Sequence, residues 1–259
     1  MTSVLKINSL SKHFGGLSAV LDINIEVKEG SLVGLIGPNG AGKTTLFNLI
    51  TGVYTPSEGK IELLVKDQYR EISNLKPYQI TKLGIARTFQ NIRLFRDLSV
   101  IENVKIAMNK DIRYGVFASI LRLPKYYCIE AEVEEKAKEL LTLVGLDKKA
   151  NELAKNLPYG EQRKLEIARA LATSPRILFL DEPAAGMNPH ETNDLTGLIQ
   201  KIKNEIGITI ILIEHDMSLV MKICEEVYVL DYGRCIASGK PEEIQKNKRV
   251  IEAYLGEGV

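Results

Sequence analysis

The sequence has almost no excess charge of either sign and no long run of basic residues. Its 259 residues contain 34 lysines and arginines against 33 aspartates and glutamates, which gives a formal net charge of +1. Proteins that bind nucleic acids by neutralising phosphates usually have a basic stripe and a domain pI above about 9. The charge pattern therefore predicts no nucleic-acid partner.

Membrane-spanning and disulfide patterns are also absent from the sequence. Apolar runs such as the one that ends at Ile213 are far shorter than the about 20 residues of a membrane-spanning helix. Residues 1–6 lack the basic and apolar segments of a secretory signal. Three cysteines without CxxC spacing argue against a disulfide framework and a zinc site: Cys128, Cys224 and Cys235. These absences predict a protein of the reducing cytoplasm that does not cross a bilayer by itself.

The composition is that of a folded domain, and the first part of the chain is rich in predicted strands. Hydrophobic residues make up 45% and charged residues 26% of the chain, close to the averages of soluble globular domains. Val4–Ile7 and Leu21–Val27 are predicted to be short strands. Leu32–Ile36 is a continuous apolar run, typical of a strand buried on both faces. A predicted helix, Lys43–Ile50, follows it and ends before Gly52.

A helical pattern begins near Asn91, and strands return after it. Apolar residues at helical spacing predict helices over Glu130–Lys155 and over about Gly160–Thr173. Apolar strands are predicted over residues 176–180, 209–213 and 227–230. Strands that alternate with helices favour a mainly parallel sheet with crossover helices. We therefore expect an α/β core built from both ends of the chain, with a helical insertion between them.

The residues around Pro189 predict the start of another helix. Asn188 suits the N-cap, Pro189 suits the first helical position, and Glu191 is placed to bond back to the cap. His190 is then expected to be an exposed residue of the first turn.

The segment between the strand at 32–36 and the following helix matches a phosphate-binding motif. Gly37 to Thr44 fits the pattern G-x-x-x-x-G-K-[ST] in the required strand, loop and helix context. Its glycines let backbone N–H groups surround an anion at a helix N-terminus. Lys43 is predicted to reach the β- and γ-phosphates, and the Thr44 hydroxyl to hold Mg²⁺. The alternative is a tight glycine turn before a helix. The other predicted nucleotide-binding residues here are Gly37, Pro38, Asn39, Gly40, Ala41, Gly42 and Thr45.

Two carboxylates follow the predicted strand at 176–180. The strand places Asp181 and Glu182 at its carboxyl end, where open α/β sheets bind ligands. Asp181 suits a water-mediated contact to Mg²⁺, and Glu182 suits the role of accepting a proton from an attacking water. The alternative is a pair of loop carboxylates that cap the strand end.

These motifs, taken with three further segments in order, resemble the ATP-binding cassette (ABC) ATPases over nearly the whole chain. The further segments are 87–90 (RTFQ), 157–163 (LPYGEQR) and 214–216 (EHD), while Asp181 and Glu182 belong to the motif at 181–183 (DEP). The resemblance implies an α/β P-loop NTPase core with a mainly parallel sheet, an N-terminal antiparallel β subdomain and an inserted α-helical subdomain. It assigns residues 1–90 and 174–259 to the nucleotide-binding core and 91–173 to the helical subdomain. It also implies an ATPase that uses ATP and Mg²⁺.

The resemblance assigns roles to three more residues. Gln90 is similar to the glutamine that joins the Mg²⁺ shell and senses the membrane partner, and His215 to the histidine at the γ-phosphate. Phe14 is similar to the aromatic residue that stacks on adenine. The alternatives are a solvated loop glutamine, a histidine that precedes a helix capped by Asp216, and a core phenylalanine.

The segment at 157–163 departs from the common family signature L-S-G-G-Q. Pro158 replaces the serine, Tyr159 the first glycine and Glu161 the glutamine. Fewer donors therefore face the γ-phosphate of a nucleotide that the opposite subunit holds. Gly160 and the N–H groups that open the next helix remain available. The resemblance implies that Tyr159, Gly160 and Glu161 contact the partner's nucleotide.

Three segments resemble the ATP-binding subunits of bacterial high-affinity branched-chain amino acid importers: 87–95, 183–189 and 251–256. This resemblance implies a head-to-tail dimer with a second cassette, which is either a related paralogue or a second copy. It also implies two transmembrane permease subunits, a periplasmic or extracellular solute-binding protein, and a peripheral location at the cytoplasmic face of the membrane. The permease contact is expected around residues 90–95 and the start of the inserted helices, where Ile92, Leu94 and Phe95 are apolar. The alternative is a locally packed loop. The alternatives are a cassette for urea, amides or lipopolysaccharide export, and a soluble ABC ATPase without a transport role.

Overall fold

The computed structural model of the chain describes residues 2–108, 124–215 and 217–255, without the side chains of 124–126 and 255. The predicted cap at Asp216 and the last residue of the 251–256 segment lie outside the described residues. The strands are β1 (Ser3–Phe14), β2 (Leu17–Lys28), β3 (Leu32–Ile36), β4 (Glu58–Val65), β5 (Gln68–Glu71), β6 (Ile85–Arg87), β7 (Ile177–Asp181), β8 (Thr209–Ile213), β9 (Glu226–Asp231) and β10 (Arg234–Gly239). The helices are α1 (Lys43–Ile50), α2 (Pro77–Lys82), α3 (Val100–Met108), α4 (Pro124–Val144), α5 (Tyr159–Leu171), α6 (Pro189–Ile206), α7 (Met217–Ile223), α8 (Pro241–Gln245) and α9 (Lys248–Leu255).

The larger sheet confirms the predicted α/β core. Its strand order is β10-β9-β3-β8-β7-β6, and neighbours are parallel except for β9 and β10. All residues of β3, β7 and β8 are buried. Along β3, Leu32 and Ile36 pack into the core on one face, and Val33 and Leu35 pack into the core on the other. The sheet is therefore covered on both sides, as its apolar strands require.

The smaller sheet is antiparallel, with the order β2-β1-β4-β5. Strands β1 and β2 are each 12 residues long. The strands predicted at Val4–Ile7 and Leu21–Val27 lie within them, but their predicted lengths were wrong. Register shifts, for example between Ile7 and Leu10, interrupt the alternation of apolar residues without ending the pairing. The sheet packs its apolar face, with α1, over one face of the larger sheet.

The helix predicted over Glu130–Lys155 was wrong at its C-terminal end. Helix α4 ends at Val144, and Gly145 follows with φ +74°. The Leu146 N–H donates to the Leu141 carbonyl at 2.8 Å, and the Gly145 N–H donates to the Thr142 carbonyl at 3.2 Å. These bonds form a Schellman motif, which stops the helix at a left-handed glycine. Two short 3₁₀ turns continue the chain, Asp147–Lys149 and Ala154–Asn156.

The other helix predictions lie close to the structure. The helix predicted over Gly160–Thr173 is α5, and α6 begins as predicted. The Asn188 side chain accepts from the N–H groups of His190 and Glu191, each at 3.0 Å. Glu191 accepts from the Asn188 N–H at 3.0 Å. Helices α3, α4 and α5 pack against one another in the region 91–173. Within the described residues, no helix has both the length and the apolar character needed to cross a bilayer.

Candidate active site

The loop between β3 and α1 requires its glycines. Gly37, Gly40 and Gly42 have φ values of +149°, +83° and +98°. A Cβ atom on Gly37 would lie 2.1 Å from the Leu230 carbonyl oxygen, and one on Gly42 would lie 2.5 Å from the Ala19 carbonyl oxygen. The backbone of this loop therefore approaches its neighbours more closely than any side chain allows.

Lys43 extends back across this loop from the first position of α1. Its ammonium donates to the carbonyls of Gly37 at 2.6 Å and Pro38 at 2.9 Å. The side chain is buried, and this burial lowers the pKa of Lys43, while the charges of Glu182 and Asp181 act in the opposite direction. The ammonium thus lies within the loop that the motif predicts to surround phosphates.

A surface depression of about 500 Å³ opens over the loop. Residues 39–45 line it together with Phe14, Leu17, Glu182 and Tyr232. A larger cavity, of about 1040 Å³, lies between α4 and the C-terminal ends of α5 and α6, and its lining contains none of the predicted site residues. The depression therefore brings together the predicted phosphate loop, the predicted adenine contact and one of the two carboxylates.

Two aromatic side chains stand at the rim of this depression. Phe14 is 42% exposed and has an edge contact with Tyr54, with ring centroids 5.3 Å apart, so it is not a core residue. Tyr232 is 88% exposed and has φ +41°. The next residue, Gly233, donates to the Ala41 carbonyl at 3.1 Å, which ties the turn to the loop. Sequence analysis missed Tyr232, because a tyrosine beside a glycine in a turn carries no signal of its own.

Asp181 is held by an arginine that sequence analysis did not single out. The Arg87 guanidinium donates to Asp181 Oδ2 at 2.6 Å and to Asn48 Oδ1 at 2.6 Å. The guanidinium also lies 5.2 Å from the centroid of the Phe89 ring. Arg87 belongs to the motif that ends at Gln90, yet only the pairing of β6 with β7 places it beside Asp181.

Glu182 and Gln90 meet although they are 92 residues apart in sequence. The Gln90 amide donates to Glu182 Oε2 at 2.8 Å. Glu182 has φ +45°, and its N–H donates to the Ile213 carbonyl at 3.0 Å. A glutamate in the left-handed region is uncommon and costs free energy, a pattern that is frequent at functional sites.

His215 does not line the depression. Its ring is 60% exposed, and its Nδ1 lies 3.7 Å from the fully buried Glu214 carboxylate. Glu214 in turn accepts from the Ala184 N–H at 2.8 Å. His215 lies two residues after β8, the strand that pairs with β7, and Asp181 ends β7.

The side chains proposed for Mg²⁺ supply suitable donor atoms. Thr44 has a hydroxyl oxygen, Gln90 an amide oxygen and Asp181 a carboxylate, and Mg²⁺ prefers oxygen ligands. Asp181 uses Oδ2 for Arg87, which leaves Oδ1. Among the described residues, no group of three or more His, Cys, Asp or Glu could hold a metal ion. The donor set therefore fits a cation that the phosphates of a nucleotide help to bind.

The signature residues lie at the start of α5 and not in the depression. The Tyr159 hydroxyl donates to the Ala185 carbonyl at 3.0 Å. A Cβ on Gly160 would lie 3.0 Å from a carboxylate oxygen of Glu191. Both carboxylate oxygens of Glu161 accept from the Lys149 ammonium, at 2.8 and 2.6 Å. Within one chain, these residues do not meet the P-loop.

The C-terminal helix α9 also reaches the phosphate loop. Burial raises the pKa of the Tyr254 hydroxyl, while a hydrogen bond from the Gly37 backbone acts in the opposite direction. The terminal segment that resembles the importer subgroup therefore packs against the first glycine of the loop.

Comparison with known proteins gives two matching family models and close relatives that cover nearly the whole chain. The family model described as "ABC transporter" matches residues 20–185, and the one described as "Branched-chain amino acid ATP-binding cassette transporter" matches residues 234–259. The high-affinity branched-chain amino acid transport ATP-binding protein LivG of Escherichia coli (strain K12) is 48% identical over 98% of both chains. The corresponding protein BraF of Pseudomonas aeruginosa is 46% identical over 98% of both chains.

Solved structures show the same fold. An ATP-binding cassette of an ABC transporter in its ADP conformation has a TM-score of 0.85 and 31% identity, and the match covers 99% of this chain and 100% of that one. A dimeric cassette in a post-hydrolysis state with ADP and Pi has a TM-score of 0.73 and 26% identity, and the match covers 92% of this chain and 98% of that one.

Proposed function

Because the chain belongs to the ABC transporter family of ATP-binding cassettes, we propose that it is the ATP-hydrolysing subunit of an importer for branched-chain amino acids. The solute is proposed from the names of LivG and BraF, which match nearly the whole chain, and from the family model over residues 234–259. The single observation that carries the hydrolytic role is the position of Glu182 in the depression above the P-loop, where Gln90 holds its carboxylate.

In the proposed reaction, the P-loop binds the phosphates and Glu182 activates the attacking water. Backbone N–H groups of residues 37–44 and the N-terminus of α1 favour a negatively charged ligand. The Lys43 ammonium exchanges the carbonyls of Gly37 and Pro38 for phosphate oxygens. Glu182 orients a water molecule and accepts its proton as the water attacks the γ-phosphate.

Positive charge around the γ-phosphate supports this step. Thr44, Gln90 and Asp181 would hold a bound Mg²⁺, which would supply positive charge that neutralises the phosphates. Lys43 stabilises the charge that develops on the transferred group. The family resemblance alone assigns the same role to His215, whose side chain lies outside the depression. Phe14, at the rim of the depression, stacks on the adenine ring.

A second cassette completes each site. Because Tyr159, Gly160 and Glu161 lie away from the P-loop of their own chain, a head-to-tail dimer places them on the nucleotide of the other cassette. Lys149 neutralises the Glu161 carboxylate, so this replacement of the usual glutamine does not present an unpaired negative charge to a phosphate. The partner is a related paralogue or a second copy of this chain.

The permease contact is proposed for the segment from Gln90 to Phe95. The Phe95 side chain is 45% exposed, and the Arg169 guanidinium lies 4.8 Å from its ring centroid. The Asn103 side chain bonds to both the N–H and the carbonyl of Phe95, each at 3.0 Å. This braced segment, with Ile92 and Leu94, docks a short helix of one permease subunit at the cytoplasmic face of the membrane, and the second cassette docks the other permease subunit. A solute-binding protein outside the membrane delivers the amino acid.

Phosphate release and solute uptake test the proposal. The Glu182→Gln variant is expected to bind ATP with unchanged affinity and to lose phosphate release, because the amide does not accept the proton of water. In cells that lack this chain, the wild type is expected to restore uptake of labelled leucine, and Glu182→Gln is not. Normal hydrolysis by Glu182→Gln contradicts the role of this residue, and restored uptake of urea or a short amide in place of leucine contradicts the solute.

The docking segment has its own test. Phe95→Glu is expected to abolish co-purification with the permease while ATP binding by the purified chain persists. Tyr78→Glu, which changes an exposed aromatic residue on α2, is the matched control and is expected to keep the complex. Equal recovery of the permease with both variants contradicts the proposed surface.

A further inference from the structure

Arg163, on α5, is fully buried and donates to the backbone of the segment that carries Gln90. Its guanidinium donates to the Phe89 carbonyl at 2.6 Å and to the Gln90 carbonyl at 2.8 Å. The same guanidinium forms an ion pair with Glu166 at 2.7 Å. Glu166 also accepts from the Phe89 N–H at 3.2 Å. The ion pair therefore holds the Phe89 peptide groups on both sides and fixes the backbone from which the Gln90 side chain extends.

The same guanidinium contacts the signature segment. Arg163 donates to the Tyr159 hydroxyl at 3.3 Å, and that hydroxyl donates to the Ala185 carbonyl at 3.0 Å. Ala185 closes a turn with Glu182, since its N–H donates to the Glu182 carbonyl at 3.1 Å. These contacts form a closed ring that runs from Gln90 through Glu182, Ala185, Tyr159 and Arg163 back to Gln90.

A purely structural explanation of this ion pair is weak. Buried ion pairs rarely stabilise a fold more than apolar residues of the same size would, because both charges lose their hydration. Burial accordingly raises the pKa of the Glu166 carboxyl, although Arg163 acts in the opposite direction. Apart from the bond to the Tyr159 hydroxyl, the backbone hydrogen bonds of the pair described above are to Phe89 and Gln90, and Gln90 contacts Glu182. A charge-assisted pair with two backbone acceptors provides the geometric precision that a site of this kind needs.

We infer that Arg163 is a positioning residue for hydrolysis, which fixes Gln90 against Glu182 and links this placement to the position of the signature helix. The inference rests on the proposed function, because it assumes that Glu182 activates the attacking water. A shift of α5, which carries Tyr159 and Arg163 together, changes the Gln90 backbone directly. In the dimer, the signature residues contact the nucleotide in the other ATP site. Through Arg163, the placement of Gln90 against Glu182 in one ATP site therefore depends on those contacts in the other site.

The test compares phosphate release and nucleotide affinity in purified full-length protein. For Arg163→Lys, which keeps the charge but loses the paired donors, kcat is expected to fall about tenfold while the Kd for ATP changes by less than about twofold. Arg176→Lys is the matched control, since Arg176 also donates to a carbonyl and a glutamate, those of Leu64 and Glu29, far from this ring. Its kcat and Kd are expected to equal those of the wild type.

A double-mutant cycle separates positioning from general damage. If Arg163 acts through Gln90, then Arg163→Lys added to Gln90→Ala lowers kcat by less than about twofold more. Hydrogen exchange at the Phe89 amide is expected to be faster in Arg163→Lys and unchanged in Arg176→Lys, and this readout does not depend on activity. Glu166→Gln, which keeps the shape of the side chain, is expected to change kcat and exchange in the same direction.

The outcomes distinguish this inference from the proposed function. Two outcomes overturn the role of Arg163. One is a further tenfold loss of kcat when Arg163→Lys is added to Gln90→Ala, and the other is a normal kcat with normal hydrogen exchange at Phe89 in the Arg163→Lys variant. A protein that releases phosphate equally well as the wild type and as Glu182→Gln overturns the proposed function instead. If Arg163→Lys does not fold, Glu166→Gln alone decides the question through the same kcat and exchange measurements.

Discussion

The guanidinium of Arg87 and the carboxylate of Asp181 form an ion pair at 2.6 Å in which the side chains are only 8% and 4% exposed. Arg87 ends β6 and Asp181 ends β7, so the pair joins two neighbouring strands at the carboxyl-terminal edge of the sheet. Through Asn48, the same guanidinium also contacts α1, which begins at the P-loop. The pair thus fixes the Asp181 carboxylate relative to the phosphate loop.

Removing this arginine is expected to destabilise the fold strongly. Arg87→Met leaves the Asp181 charge buried without its partner, which costs about 3–5 kcal/mol of unfolding free energy. Urea denaturation monitored by circular dichroism measures the loss. The matched control is Arg176→Met, which breaks a pair whose side chains are 39% and 52% exposed and is expected to cost about 0–1 kcal/mol. Equal losses for the two variants contradict the assignment of Arg87–Asp181 as a buried pair.

Local sequence patterns predicted those parts of the fold that depend on residues adjacent in the chain. The bounds of β8 and α1 match the prediction, and the cap at Asn188 forms as expected, because each depends on neighbouring residues alone. The end of α4 was missed, since apolar spacing continues past Gly145 and only its left-handed backbone ends the helix.

The sequence carried no comparable pattern that predicts contacts between distant segments. Strand β6 has only three residues, which is too short for any periodicity, yet it places Arg87 beside Asp181. Arg163 likewise belongs to an ordinary amphipathic helix in sequence, and only the packing of α5 against the segment before it shows what its guanidinium bonds to. The family resemblance singled out Gln90 and the end of a predicted strand singled out Glu182, and the fold was needed to show which residues hold them in place.

ATP affinity is expected to decline at alkaline pH because of Lys43. Burial lowers the pKa of this ammonium below the ordinary range of lysine, so in the free protein it loses its proton at a lower pH than exposed lysines do. As the pH rises through that pKa, affinity falls by up to about tenfold per pH unit, since one positive charge next to the phosphates is lost. Equilibrium binding of a fluorescent ATP analogue between neutral and alkaline pH measures this decline.

The arginine variant is the control for this pH dependence. Lys43→Arg keeps its charge at high pH, so its affinity, whatever its starting value, is expected to stay constant over the range in which that of the wild type falls. A parallel decline in both proteins shows that another group titrates.

Thiol labelling is expected to separate the cysteines by burial. Cys224 is 7% exposed, and burial raises the pKa of its thiol to about 12. Because the thiolate is the reactive form, Cys224 is expected to resist alkylation in the native protein at neutral pH. Cys128 is exposed on α4 and is expected to react within minutes. Mass spectrometry after brief alkylation identifies the modified residues, and full denaturation is expected to expose all three thiols. Rapid native labelling of Cys224 contradicts the packing of this residue against β3.

The aromatic residues at the rim of the depression are expected to differ in their contribution to adenine binding. Phe14→Ala is expected to weaken ATP binding about tenfold, because base stacking on an aromatic ring contributes about 1–3 kcal/mol. Binding of tripolyphosphate, which has no base, is expected to be unchanged in the same variant. Tyr232→Ala tests the second ring at the same rim, and Tyr78→Ala on α2 is the control without effect on either ligand. A loss of ATP affinity with Tyr232→Ala but not with Phe14→Ala transfers the adenine contact to the turn between β9 and β10. Equal losses for ATP and tripolyphosphate show instead that the substitution disturbed the phosphate loop, which Gly233 holds through the carbonyl of Ala41.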